Sequence, residues 1–240
     1  MAEAALLEVR GLAKSFGAVE VIRGIDAAFE EGKRHLIIGP NGAGKTTFFN
    51  LLGGQIPSSS GRIQLFGRDV TDLSVSQRAL LGLGRTFQIA SLFPHLSIAD
   101  NLLIAADSPV LTHAEAGDFR ERAEEALDLC GLKARRNEHV ASLSYGEQRR
   151  LEIVMSLVTR PRLLLLDEPM AGLTRDERKT LAQRILDLSA STGIVMIEHD
   201  LEIALPMAEK LTVLHLGQIV ASGPPEEVIQ NPFVRQIYLL

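Results

Sequence analysis

Nine consecutive residues, Gly39, Pro40, Asn41, Gly42, Ala43, Gly44, Lys45, Thr46 and Thr47, restrict this chain more than any other stretch of it. They match G-x-x-x-x-G-K-[S/T] in the context that gives the pattern mechanical meaning. Arg34 to Ile38 is a compact apolar strand before the turn, and Thr46 to Leu52 reads as a helix until Gly53-Gly54 stops it. Glycines let backbone N–H groups face inward around phosphate oxygens, and the following helix adds its partial positive end. Lys45 is expected to reach the β- and γ-phosphates of a nucleotide, with the Thr46 hydroxyl on Mg²⁺.

A second constraint lies at the end of the apolar run Leu163 to Leu166, where Asp167 and Glu168 precede Pro169. Two charges ending a buried strand are costly unless a cation or substrate justifies them. Adjacent strand residues point to opposite sides, so the acids can hold separate tasks. Asp167 is placed for the Mg²⁺ shell, and Glu168 for orienting or deprotonating an attacking water. The bland alternative is a helix-capping pair with Pro169 as a loop start. These motifs define a P-loop nucleotidase and nothing narrower, since kinases, GTPases and motors share them.

The rest of the chain bounds the fold. At 240 residues with 46% hydrophobic side chains it reads as one globular unit with room for a subdomain. Lys and Arg number 25 against 30 Asp and Glu, a formal charge of −5 that lacks the basic excess expected of a nucleic-acid binder. The single cysteine, Cys130, cannot form an intramolecular disulfide and reads as a small buried residue in a reducing compartment. No apolar run approaches the roughly 18 residues of a spanning helix, and the start carries no charged leader before an apolar core, so a chain soluble by itself is expected.

Short strands are expected at residues 6–10 and 19–29, broken at Gly11 and Gly17, and again from Arg62 to Phe66. The middle turns helical: Ser97 with Asp100 signals a helix start, Ala114 to Leu129 is amphipathic, and Leu151 to Val158 carries apolar residues at helical spacing. Leu163 to Leu166 and Ile194 to Ile197 lack polar alternation, as strands covered on both faces do, with a helix from Asp176 to Ser189 between them. This is α/β grammar with a parallel sheet. Two further strands, Leu211 to Leu216 and Gln218 to Ala221, lead to a helix opened by Pro224-Pro225 and ending before Asn231-Pro232.

What narrows the class is Leu143-Ser144-Tyr145-Gly146-Glu147-Gln148 at the head of the helix containing Leu151 to Val158. With Gln88 and His199, each after an apolar strand, it resembles the ATP-binding cassette (ABC) family along essentially the whole chain. Ser144 and Gly146 read as an N-terminal helix cap with free N–H groups, an anion site. By itself this is only an N-cap. The resemblance implies a head-to-tail dimer in which ATP lies between the P-loop of one subunit and the LSYGEQ segment of the other.

The resemblance also implies that His199 contacts the γ-phosphate and that Gln88 reaches the Mg²⁺ or the water and reports nucleotide state. It implies that Phe16 stacks on adenine, although a hydrophobic anchor for the N-terminal strand is an equally good reading of Phe16. The bland reading of Gln88 is an exposed loop amide. The implied fold is a mixed-sheet core with an antiparallel β subdomain, formed by residues 1–87 and 161–240, and a helical subdomain at 88–160.

At finer grain, GRTFQIASLFPHLSIADNL, LLLLDEPMAGL, IEHD and the ending GPPEEVIQNPFVRQIYLL look like the ATPase subunits of bacterial branched-chain amino acid importers. Tyr145 stands where the widespread LSGGQ form has glycine, and AGLTRDE lacks the frequent Asn-Pro. Implied partners are separate transmembrane permease subunits, a second copy or a paralogous ATPase, and a periplasmic or extracellular solute-binding protein. The implied location is cytoplasmic, peripheral on the inner face of the membrane. Urea or amide importers and lipopolysaccharide exporters share much of this pattern, and a non-transport ABC ATPase is a more distant alternative.

Overall fold

Two faces of burial shape the central strands. In β3 (Arg34–Ile38), β7 (Leu163–Asp167) and β8 (Gly193–Ile197) almost every residue is buried because neighbours enter different cores. Ile37, Leu163, Leu165, Val195 and Ile197 join one cluster, whereas Leu36, Ile38, Leu164, Leu166, Ile194 and Met196 join another. Together with β6 (Leu83–Arg85), β9 (Lys210–His215) and β10 (Gln218–Gly223) they make a six-stranded sheet in the order β10-β9-β3-β8-β7-β6. All neighbours are parallel except the edge pair β9 and β10. The computed structural model describes residues 5–86, 92–107, 119–188 and 192–238.

The first cluster is closed by a helix and a second sheet. Helix α1 (Lys45–Gly53) supplies Phe48, Phe49, Leu51 and Leu52, and stops at Gly54, whose φ of 81° suits glycine. Strands β1 (Ala5–Phe16), β2 (Val19–Glu30), β4 (Ser60–Leu65) and β5 (Arg68–Asp69) form an antiparallel sheet in the order β2-β1-β4-β5. It contributes Leu7, Val9, Leu12, Ile22, Ile25, Phe29, Ile63 and Leu65. The expected break at Gly11 does not occur. Gly11 has φ 56°, and the pairing of β1 with β2 shifts register between Val9 and Leu12, so the glycine irregularity bends the strand without ending it.

The middle of the chain folds around its own core. After α2 (Val75–Leu80) come α3 (Ile98–Ala106), α4 (Phe119–Cys130) and α5 (Tyr145–Val158), which share Ile98, Leu102, Ala126, Leu127, Cys130, Leu151 and Val154. Ser97 Oγ accepts from the Asp100 amide at 3.0 Å and fixes the start of α3 as the sequence indicates. Residues 114–118 of the expected amphipathic helix lie outside the described residues. Cys130 is buried, and burial pushes its thiol pKa up. Helix α5 starts directly after Ser144, where the sequence places the LSYGEQ cap, and its apolar spacing begins further along at Leu151.

The opposite face of the large sheet is covered by α6 (Arg175–Leu188), α7 (Leu201–Ala204), α8 (Pro225–Val228) and α9 (Pro232–Tyr238). Leu181, Ile185, Ala204, Val228 and Val234 pack there. The last helix was not expected: Asn231-Pro232 reads as a stop, yet Asn231 Oδ1 accepts from the Phe233 amide at 2.9 Å and starts a new helix. No helix among the described residues is long and apolar enough to cross a membrane.

Candidate nucleotide site

The turn between β3 and α1 needs its glycines for different reasons. A Cβ on Gly39 would lie 2.1 Å from the Leu214 carbonyl oxygen of β9, so this position accepts no side chain. Gly44 sits at φ 100° as the N-cap of α1 and supplies no side-chain cap, which leaves the helix's first amides to an anion. The loop is braced by Ala43 N donating to Pro40 O at 3.1 Å and Gly217 N donating to Ala43 O at 3.0 Å. Lys45 Nζ donates to the carbonyls of Gly39 at 2.7 Å and Pro40 at 3.1 Å. Burial lowers the pKa of this ammonium, while Glu168 and Asp167 pull it back up. A cavity of about 240 Å³ lies over the loop, lined by Asn41 through Thr47 together with Val21, Glu168 and His199.

The two acids at the end of β7 have separate surroundings. Asp167 is 1% exposed, and burial raises its pKa, with the Arg85 charge working the other way. Arg85 Nη2 donates to Asp167 Oδ2 at 3.5 Å and to Asn50 Oδ1 at 2.7 Å, tying the acid to α1. Asp167 Oδ1 is buried and accepts no hydrogen bond. A buried, unpartnered carboxylate oxygen is a hard donor of the kind Mg²⁺ takes. This fits a cation held between Asp167 and the exposed Thr46 hydroxyl.

Glu168 turns the other way. Its φ is 47°, unusual for a side-chain-bearing residue, and its Oε1 lies 2.8 Å from His199 Nε2. Its amide donates to Ile197 O at 3.0 Å. Glu198, 3% exposed, accepts from the amides of Met170 at 2.7 Å and His199 at 3.1 Å, so one buried carboxylate spans the segments that follow β7 and β8. Burial raises the Glu198 pKa against those bonds.

The LSYGEQ turn stands apart from this cavity, since none of Ser144, Tyr145 or Gly146 lines it. Ser144 caps α5: its Oγ accepts from Glu147 N at 3.3 Å, and Glu147 Oε2 accepts from Ser144 N at 2.9 Å. The expectation of free N–H groups is thereby corrected in part. Two donors are used internally, and the Tyr145 and Gly146 amides remain outside the capping box. A Cβ on Gly146 would meet Glu177 Oε1 at 2.1 Å, and one on Gly172 would meet the exposed Tyr145 ring at 2.7 Å. The substituted tyrosine therefore packs across the loop that follows Glu168.

Phe16 ends β1 with 51% of its surface exposed and Lys14 Nζ 5.0 Å from its ring centre. A residue so exposed is no anchor for the strand, and the ring is open to a stacking partner. Gln88 lies outside the described residues, which resume at Leu92. Sequence reasoning did not single out Arg85, Arg149 or Glu198. The arginines carry no signal, because a basic residue beside polar neighbours reads as solvated. An acid closing the apolar run of β8 was a usable signal for Glu198.

The parallel sheet, the loop wrapped on α1 and the divided acids at the end of β7 define a P-loop nucleotide-hydrolysing core joined to a helical unit that bears a capped signature turn. The ABC transporter family model matches residues 22–171, and the chain belongs to that family. It is an ATP-binding cassette ATPase. It is 38% identical to the high-affinity branched-chain amino acid transport ATP-binding protein LivG of Salmonella typhimurium, covering 98% of this chain and 97% of that protein. BraF of Pseudomonas aeruginosa, of the same description, is 36% identical over the same shares. The lipopolysaccharide export system ATP-binding protein LptB of Acidithiobacillus ferridurans is 37% identical, covering 98% of this chain and 96% of its own. Among solved structures, the ADP conformation of an ATP-binding cassette of an ABC transporter superposes with a TM-score of 0.89 at 28% identity, covering 98% of this chain and 99% of its own.

Proposed function

We propose that this chain is the ATP-hydrolysing subunit of a membrane importer of branched-chain amino acids. The observation that carries the catalytic reading is the Glu168–His199 pair at 2.8 Å facing the P-loop cavity. The near full-length similarity to LivG and BraF supports the cargo class.

In this reading the amides of Gly42 to Thr47 and the Lys45 ammonium hold the β- and γ-phosphates of ATP, with Phe16 stacking on the adenine. Lys45 exchanges its Gly39 and Pro40 carbonyls for phosphate oxygens, a move favoured by its proximity in the same loop. Glu168 takes the proton of the attacking water, and His199 fixes the orientation of that carboxylate and contacts the γ-phosphate. Thr46 and Asp167 would hold Mg²⁺, with Gln88 as the further ligand that the family resemblance implies, and the bound ion would neutralise phosphate charge.

Ser144 and Gly146 serve the γ-phosphate bound to a second cassette, which is this chain again or a paralogue. Mg-ATP thereby joins two subunits, and its hydrolysis releases them. Permease subunits span the membrane, hold the cassette against its inner face and receive cargo from a solute-binding protein outside. The similarity to LptB supports a second reading, an ATPase of lipopolysaccharide export.

Purifying the complex from its source cells and reconstituting it separates the readings. ATPase stimulation by leucine, isoleucine or valine with their binding protein is the expected result. Stimulation by lipopolysaccharide alone would transfer the assignment to export.

A further inference from the structure

Arg149 lies on α5, one turn beyond the Ser144–Gly146 end, and is 6% exposed. Its Nη2 donates to Asp167 O at 3.0 Å and Glu168 O at 3.1 Å, and its Nε donates to Pro169 O at 3.2 Å. Three successive carbonyls converge on one guanidinium. Its Nη1 donates to Glu152 Oε2 at 2.9 Å on the same helix, which keeps the buried charge paired.

These carbonyls belong to a turn whose central residue needs outside support. Glu168 holds φ 47°, a conformation that persists in a glutamate only when its surroundings over-determine it. The N–H side of the segment is fixed by β8, through Glu168 N to Ile197 O at 3.0 Å, and by Glu198, through Met170 N at 2.7 Å. On the carbonyl side Arg149 holds all three oxygens, joined at Glu168 O by the Ala171 amide at 3.1 Å. A planar fork with donors at set angles can hold three oxygens in a fixed relation, which a lysine ammonium on a flexible stem cannot.

We propose that Arg149 is a positioning residue for hydrolysis: it holds the strained turn so that the Glu168 carboxylate faces the phosphate cavity, and it makes the signature helix part of that turn's support. A displacement of α5 when its Ser144 end engages another subunit's nucleotide is then transmitted to the carbonyls around this subunit's own Glu168 through the Arg149 guanidinium. The inference rests on reading Glu168 as the group that acts on the attacking water.

The test uses the full chain with Glu152→Gln as background, so that removing Arg149 does not strand a buried carboxylate. Arg149→Met in this background should lower kcat by about tenfold or more while the Kd for ATP stays within about threefold. Adding Glu168→Gln should cancel the effect, because a residue acting through Glu168 has nothing left to position. Arg149→Lys keeps charge and length, guards against failure to fold, and should show the same pattern to a smaller extent. Full turnover in either Arg149 variant, loss of ATP binding in step with kcat, or an undiminished further loss in the Glu168→Gln background would overturn the proposal. Wild-type turnover in Glu168→Gln alone would instead sink the reading of Glu168.

Discussion

Glu168 Oε1 and His199 Nε2 meet at 2.8 Å, each carried just past the end of one of two adjacent parallel strands, β7 and β8. Strand pairing sets this distance, so the acid and the imidazole are oriented before any substrate arrives. Glu168→Gln keeps the size and the contact with His199 but cannot take a proton. Turnover should fall by about 100-fold or more with ATP affinity nearly unchanged, and the variant should accumulate as an ATP-bound dimer. Steady-state kinetics with sedimentation in ATP checks both parts, and an ATP-saturated monomer would contradict them.

Lys45 is buried in its own loop and bonded to two carbonyls that any chain of this shape would offer. Its removal therefore costs little in folding and much in phosphate binding. Lys45→Ala should lose ATP affinity by about two orders of magnitude or more, an amount in line with losing charge-assisted bonds, while the melting temperature without nucleotide stays close to the parent. Calorimetric titration with ATP reads the first and a thermal scan the second.

Gly39→Ala should destabilise the protein by roughly 1–3 kcal/mol and weaken ATP binding as well, because the added methyl would lie 2.1 Å from Leu214 O and force β9 away from the loop. Urea unfolding measures the loss. A variant as stable as the parent would mean that the loop and β9 are not packed as described.

His35 gives the fold an acid limit unrelated to catalysis. It is 2% exposed, accepts from the Glu30 amide at 3.1 Å through Nε2, and packs edge-on against Phe29. Burial pushes its pKa down to about 4, from an ordinary 6.5. Between those values the unfolded chain binds the proton that the folded one refuses. The contribution of His35 is thus complete above pH 6.5 and is lost as the pH falls towards 4. His35→Gln keeps an acceptor without a titration, so its stability should depend less steeply on pH in that window. Parallel slopes in paired urea titrations would contradict this.

The parts of the molecule legible in the sequence are those where local chemistry and context agree. The turn from Gly39 to Thr47 is announced by its glycines, by the apolar strand before it and by the helix after it. Asp167 and Glu168 stand out because charges end an apolar run. Gly11 misled because a glycine in a strand can mark either a break or a bulge, and only the partner strand decides. Asn231-Pro232 misled similarly, since the same pair ends one helix and caps the next. Arg149 was invisible: its role depends on a helix 18 residues before Asp167 in sequence folding back onto the turn after β7, and no spacing rule encodes that contact.

In the proposed dimer the signature turn of one cassette completes the nucleotide site of another. Cys130 is the chain's only cysteine and is buried, so introduced thiols report cleanly. The direct measurement mixes Glu168→Gln proteins carrying Asn41→Cys with others carrying Ser144→Cys and follows disulfide-linked dimer under mild oxidation with and without Mg-ATP. The linked dimer should form with ATP and be absent without it. A saturating ATP concentration that yields no linked dimer, or a link that forms equally well without nucleotide, would contradict this arrangement.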